Sequence, residues 1–364
     1  MTSSPRILIV KLSAIGDVVH TLPALTALRR RYPRARITWL VEEAAADLVM
    51  GHPDVDEVLV SQRKTWLKGL KTPRRRQHLR ALAGFVTRLR RHRFDMVLDF
   101  QFSLKGAVLI ALTRARRKIG FGHGLAHQEC SYVALNEHIP AVSMDIHALD
   151  RNLIMLQAIG VECGPIEYKL PVADVHRKKA MQLLSGLDRD AGAPFVAINP
   201  MAQWESKLWS GKGFARVADR LQQEARWPVV FTGGPGDRAY IDNIRGQMKT
   251  MAPNLAGRTD LLTLAALLQQ AKLMITTDTG PMHIAAAMGT PTVALFGPTA
   301  PWRTGPYGRG HQVIRADRPC SPCFKRHCPL SKKCMQTITA DRVMSAVGRL
   351  ATRGEGVAIQ AHVE

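Results

Sequence analysis

Twice along this chain a short apolar run stops at a turn and gives way to residues at helical spacing. The first is Ile7-Leu8-Ile9-Val10, followed by Ser13-Ala14-Ile15-Gly16-Asp17 and then Val18, Val19, Leu22, Leu25 and Leu28 on one face. Pro23 sits inside that helical pattern and argues against one uninterrupted helix. Strands near Ile37–Val41, Glu57–Val60 and Met96–Phe100 and a helix near His78–Arg91 complete the first series. The second restarts near Phe195–Asn199 with a helix near Phe214–Glu224 and the strand Val229–Thr232. Helices at Leu261–Ala271 and Pro281–Met288 then alternate with strands at Leu273–Thr277 and Thr292–Phe296. Strands alternating with helices predict a parallel sheet covered on both faces. Two series in 364 residues predict an α/β chain of two doubly wound domains. Gly, Pro and charged residues cluster at Val161–Pro194, so the boundary is expected there, between domains at 1–175 and 190–338, with an amphipathic helix at 339–353.

Charge narrows the partners. Lys and Arg number 51 against 29 Asp and Glu, a formal charge of +22. That directs attention to polyanions: nucleic acid, an anionic membrane surface or a phosphorylated substrate. The segment Arg63–Arg93 holds twelve of these cations and no acid, and reads as an anion-binding surface. Trp66 alone there does not make the aromatic ladder of a single-strand nucleic-acid platform, and no helix-turn-helix, RRM or KH signature stands out. The longest apolar stretches, such as Val108–Leu112, fall far short of the ~20 residues that span a bilayer. Ile7–Val10 is too brief for a signal-peptide core, so a cytoplasmic protein is expected.

Several residues could carry chemistry. Asp17 stands at the carboxyl end of the first strand, where open α/β sheets bind ligands; it could be a general base or a helix cap. The segment Asp278-Thr279-Gly280-Pro281-Met282-His283 joins a strand end to a helix start, where exposed N–H groups suit an anion. Thr279 adds a hydroxyl, and His283 lies in the first turn of that helix. Phe296-Gly297-Pro298-Thr299 closes the next strand and builds one wall of the same site. Lys207, in another strand-to-helix loop, can meet phosphate as a point charge. Asp237, after Gly233-Gly234-Pro235-Gly236, could take ribose hydroxyls or cap the next helix. Cys320, Cys323, Cys328 and Cys334 crowd into fifteen residues. The first pair has zinc-knuckle spacing; a structural Zn²⁺, an iron–sulfur cluster and reduced thiols all remain open readings. Their basic neighbours Arg318, Lys325, Arg326 and His327 are expected to depress the thiol pKa values, which favours metal.

As a set these motifs resemble those of the bacterial ADP-heptose:lipopolysaccharide heptosyltransferases. The likeness lies in Lys11 through Ala24, in Val97-Leu-Asp99-Phe-Gln101-Phe-Ser-Leu-Lys105-Gly, and above all in Asp278 through Ala287 followed by Leu295-Phe-Gly-Pro-Thr299. It covers about Arg6 to Arg353. It implies a GT-B architecture, two Rossmann-like domains facing across a cleft, with the last helix packing back on the first domain. It implies inverting transfer of a manno-heptose from ADP-heptose to inner-core lipopolysaccharide. Asp17 would be the base. Lys207, Asp237, Asp278, Thr279, Gly280 and His283 would hold the donor, and Arg63, Lys64, Gln101 and Lys105 the acceptor. No DxD motif occurs in a strand-end loop, so catalysis without a metal or other cofactor is expected. Glu42-Glu43 and Asp99-x-Gln101 with Lys105 look most like heptosyltransferase I, whose acceptor is Kdo-lipid A; the four cysteines are more like other members, including type II-like ones. The enzyme would work at the cytoplasmic face of the inner membrane, bound peripherally. A type II or III transferase, a nucleotide-sugar epimerase on the same scaffold and a nucleic-acid-binding protein are the alternatives.

Overall fold

A computed structural model describes residues 4–125, 129–187, 194–331 and 334–354. The chain divides into two compact units, Met1–Pro171 and Val172–Glu364.

The first unit runs β1 (Arg6–Val10), α1 (Ile15–Val19), α2 (Leu22–Arg31), β2 (Arg36–Glu42), β3 (Glu57–Ser61), α3 (Arg63–Gly69), α4 (Arg75–Arg91), β4 (Arg93–Asp99), α5 (Leu104–Leu112), β5 (Arg114–Phe121), β6 (Glu137–Ile139) and α6 (Ala148–Gln157). Its six strands are parallel, in the order β3-β2-β1-β4-β5-β6. Ile7, Leu8, Ile9 and Val10 are wholly buried because β1 is central and covered on both faces. Pro23 does interrupt the first helical pattern: it lies in the first turn of α2, where a missing N–H does no harm.

β5 escaped the sequence reading for a physical reason. β6 pairs only with its last residues, Ile119 to Phe121, so its first half behaves as an edge and tolerates Arg114, Arg116 and Arg117. Arg117 there ion-pairs with Glu137 at 2.7 Å. α4 buries only Phe85 and Leu89 fully and leaves its arginines in solvent.

The second unit runs α7 (Asp174–Leu184), β7 (Val196–Asn199), α8 (Gly211–Gln223), β8 (Val229–Phe231), α9 (Arg238–Arg245), α10 (Leu261–Gln270), β9 (Leu273–Thr277), α11 (Gly280–Ala287), β10 (Thr292–Phe296), α12 (Pro301–Thr304), β11 (His311–Arg315) and α13 (Ala340–Gly354). Its five strands are parallel, in the order β11-β10-β9-β7-β8. Part of the stretch expected to join the domains is α7, which packs on α10 of this unit and buries Ala180 and Leu184. The final helix buries Val343, Ala346, Val347 and Leu350 in this unit's own core, against α8, β10 and β11. Its apolar stripe thus serves the second unit.

Candidate active site

In the first sheet the strand order reverses between β1 and β4. The loops leaving such a pair diverge and open a crevice at the carboxyl ends of the strands. Here that crevice is a cavity of about 170 Å³ lined by Lys11 and Asp17 after β1, Gln101 and Phe102 after β4, and Arg151 and Asn152 of α6, among others. Asp17 Oδ2 accepts a hydrogen bond from the Ala14 N–H at 3.0 Å, so the carboxylate caps α1 and lines the cavity at once. One N–H uses a fraction of a carboxylate's acceptor capacity, so the cap and a base role are compatible.

Two buried ionisable groups, Lys11 and Asp99, stand at the ends of β1 and β4. Lys11 donates from Nζ to the Phe100 carbonyl at 2.7 Å. Burial pushes its pKa down, and the charges of Asp17 and Asp99 pull it back up. Burial pushes the Asp99 carboxyl up, opposed by the N–H groups of Gln101 and Phe102, the Ser131 hydroxyl and the charge of Lys11. Gly120 permits this crowding, since a Cβ there would stand 3.1 Å from that of Asp99. Sequence reasoning missed α6 altogether. Its Asn152 Nδ2 donates to the His20 carbonyl and the Thr21 hydroxyl, both at 3.1 Å, which ties α6 to the turn between α1 and α2. Arg151, buried on the same helix, donates to the carbonyls of Met144 and Ile146. The available signal was the polar pair Arg151-Asn152 set among Leu149, Met155 and Leu156.

The four residues expected on the acceptor side have different places. Gln101 Oε1 accepts from the N–H groups of Leu12 at 2.7 Å and Ser13 at 3.1 Å, so it braces the β1 loop as well as lining the cavity. Arg63 and Lys105 both reach Glu42 Oε1, at 3.1 and 3.5 Å, and Lys105 also donates to Ser13 Oγ. Lys64 is exposed. Glu42 is buried at the end of β2 and was quoted from the sequence only as a likeness; the structure makes it the shared partner of two cations.

The second sheet reverses between β7 and β9; Lys207 and Asp278 to Gly280 follow those two strands, whereas Asp237 follows β8. Lys207, after β7, and Asp278, after β9, pair at 2.6 Å, with the Lys207 side chain 16% and the Asp278 side chain 6% exposed. Thr299, after β10, donates to the same Asp278 oxygen at 2.6 Å. The Lys207 ammonium also sits 4.6 Å from the centre of the Trp204 ring. Thr279 holds the N-cap position of α11 with no capping hydrogen bond from its side chain, and Gly280 and Pro281 open the helix, so the N–H groups of an uncommitted helix start follow Asp278 in sequence. His283 is buried in the first turn of α11. Asp237 is a turn brace, its Oδ2 accepting from the Gly234 N–H at 2.7 Å.

Cys320, Cys323, Cys328 and Cys334 line one small cavity of about 70 Å³ together with Ser206, Gly297 and Pro298. The expected depression of thiol pKa fails at Cys334. Burial pushes that thiol up, and the neighbouring Cys328, Cys320 and Cys323 push it further. Among the described residues, no three His, Cys, Asp or Glu side chains are arranged to hold a metal ion.

Two parallel Rossmann-like sheets, each with charged groups at its point of reversal, are the parts of a GT-B fold. A glycosyltransferase family 9 protein from Veillonella parvula superposes with a TM-score of 0.78 over 96% of this chain and 97% of that one, at 24% identity. The Escherichia coli heptosyltransferase WaaC with ADP gives 0.75 over 95% and 99%, at 23% identity. Residues 83–334 match the model of glycosyltransferase family 9 (heptosyltransferase), and the chain belongs to that family. It is 31% identical to lipopolysaccharide heptosyltransferase 1 of Pseudomonas aeruginosa over 89% of this chain and 87% of that protein. It is 28% identical to lipopolysaccharide heptosyltransferase 3 of Escherichia coli over 92% and 95%.

Proposed function

We propose that this enzyme transfers a manno-heptose from ADP-heptose to the Kdo region of the lipopolysaccharide inner core, as a heptosyltransferase I. The observation that carries the reading is the pair of switch-point sites. The second unit offers a diphosphate a lysine and a helix start, and the first offers a hydroxyl a carboxylate in a cavity. Asp17 takes the proton of the acceptor hydroxyl, whose oxygen attacks the anomeric carbon as the bond to ADP breaks, with inversion. The charge that develops on ADP meets Lys207 and the N–H groups of Thr279 and Gly280. The roles assigned need no metal, so a chelator is expected to leave turnover unchanged.

The 31% identical relative is named a type 1 enzyme, whereas a type 3 enzyme follows closely in identity. The acceptor therefore has to be decided by reaction. Incubation with ADP-heptose and a panel of truncated lipopolysaccharides, read by product mass, tests the proposal. One heptose added to the Kdo-terminated acceptor supports it. Addition only to an acceptor already carrying heptose makes the enzyme type II or III. Conversion of the sugar nucleotide with no acceptor present makes it an epimerase.

The arginine-rich face of α3 and α4 supports docking on an anionic surface, the acceptor's phosphates or the membrane that holds it. No described helix is long and apolar enough to cross a membrane.

A further inference from the structure

Lys207 and Thr299 reach the same oxygen of Asp278 from two different loops, and a third segment grips both loops just before those residues. On the Lys207 side, Ser206 donates from its N–H to the Arg326 carbonyl at 3.1 Å and from its hydroxyl to the Lys325 carbonyl at 2.6 Å. Glu205 Oε2 lies 3.1 Å from His327 Nδ1, and the Arg326 guanidinium lies 5.6 Å from the centre of the Trp204 ring. On the Thr299 side, the Ser321 hydroxyl donates to the Gly297 carbonyl at 2.5 Å. The N–H groups of Cys323 and Phe324 donate to the Pro298 carbonyl at 3.0 and 2.7 Å. Ser206 and Ser321 are buried.

We propose that the cysteine-bearing segment 318–331 is the positioning element of the donor site, setting Lys207 and Thr299 against Asp278 through Ser206 and Ser321. A lysine carries its charge on a flexible four-carbon stem, so where the ammonium lands depends on how firmly its backbone is held. Ser206 adjoins Lys207, and its hydroxyl and N–H both donate to carbonyls of segment 318–331. This gives the cysteine segment a part in the reaction whether or not its thiols carry metal. It rests on Lys207 being a donor-binding residue, so the test has an arm without nucleotide.

The first arm measures ADP binding by calorimetry for the full-length wild type, Ser206→Ala, Lys207→Ala and the double variant. Loss of one hydrogen bond corresponds to about fivefold. Ser206→Ala is expected to weaken ADP about fivefold in the wild-type background and less than twofold once Lys207 is gone. Equal effects in both backgrounds, or none in the wild type, would overturn the proposal, since a general loss of structure would weaken both alike. The second arm labels lysines with an amine-reactive reagent, without nucleotide, and reads Lys207 by peptide mass spectrometry. Ser206→Ala is expected to speed labelling of Lys207 several-fold and leave Lys272 unchanged; an unchanged Lys207 rate would overturn the proposal. If Ser206→Ala does not fold, His327→Ala, at an exposed contact, should raise the Lys207 rate about twofold, and no rise would count equally against it. If Lys207→Ala leaves ADP binding intact while the labelling result holds, the donor reading fails and the positioning relationship stands.

Discussion

The Lys207 ammonium is 2.6 Å from Asp278 Oδ2, and the two residues lie on the loops that follow the two strands between which the second sheet reverses its order. In that pair the lysine has its charge oriented before any anion arrives, and the aspartate has its burial offset. Lys207→Ala removes both services. ADP affinity is expected to fall tenfold or more, from the roughly 1.5–3 kcal/mol of a hydrogen bond to a charged group. The melting temperature should fall too, because Asp278 stays buried with the Thr299 hydroxyl but without its cation. Calorimetric titration with ADP and a thermal melt check both parts.

Asp17→Asn separates the cap from the proposed base. An asparagine oxygen can still accept from the Ala14 N–H, so α1 keeps its cap and the melting temperature should stay near wild type. The amide cannot take a proton, and turnover is expected to drop ~10²–10⁴-fold with ADP affinity unchanged. Turnover within a few-fold of wild type would make Asp17 a cap alone.

Arg74, Arg75 and Arg76 sit just before and within the first turn of α4, all exposed. Cations at a helix N-terminus oppose the macrodipole, by about 0.3–1 kcal/mol each. Replacing all three with Gln should therefore leave stability equal or slightly raised. The same change should raise the acceptor KM and weaken adsorption to anionic vesicles, by about 1 kcal/mol per residue. Donor KM should not move. A defect confined to the donor would contradict the division of labour between the units.

Asp260 caps α10, accepting from the Thr263 N–H at 2.7 Å and, through its second oxygen, from the Thr263 hydroxyl at 2.8 Å and Lys179 at 3.0 Å. Burial works to raise its pKa, but the Thr263 N–H, Lys179 and the Thr263 hydroxyl outweigh it and bring the carboxyl down to about 2. The folded value lies below the unfolded one, so this stabilisation is complete above the ordinary carboxylate pKa and fades as pH falls toward 2. Asp260→Ala should cost about 1 kcal/mol at pH 7. Urea melts of wild type and variant should converge as pH falls from about 4 toward 2, and a constant difference would refute the assignment.

The strand-end motifs were legible in the sequence because each depends on local chemistry. A short apolar run bounded by turn residues suits a strand buried on both faces, Pro281 suits the first turn of a helix, and Asp278, Thr279 and Gly280 fall between the two. β5, β11 and α6 were not legible. β5 carries arginines on a half-edge, β11 reads His311-Gln312-Val313-Ile314-Arg315 at the sheet's border, and α6 turns Arg151 and Asn152 inward. In each, the neighbours decide burial, and no local rule supplies them.

What the sequence by itself determined was the α/β class, the two-fold repetition of the pattern and the residue types at each strand end, because hydrophobic period and turn chemistry act over a few residues. Tertiary structure alone decided which loops meet. Strand order put the β7 and β9 loops side by side and so joined Lys207 to Asp278 across 70 positions. It also gave Arg63 and Lys105 the same buried Glu42, and set the cysteine segment against Ser206. Such pairings follow from the order in which strands add to a sheet, and that order is fixed by packing over the whole unit.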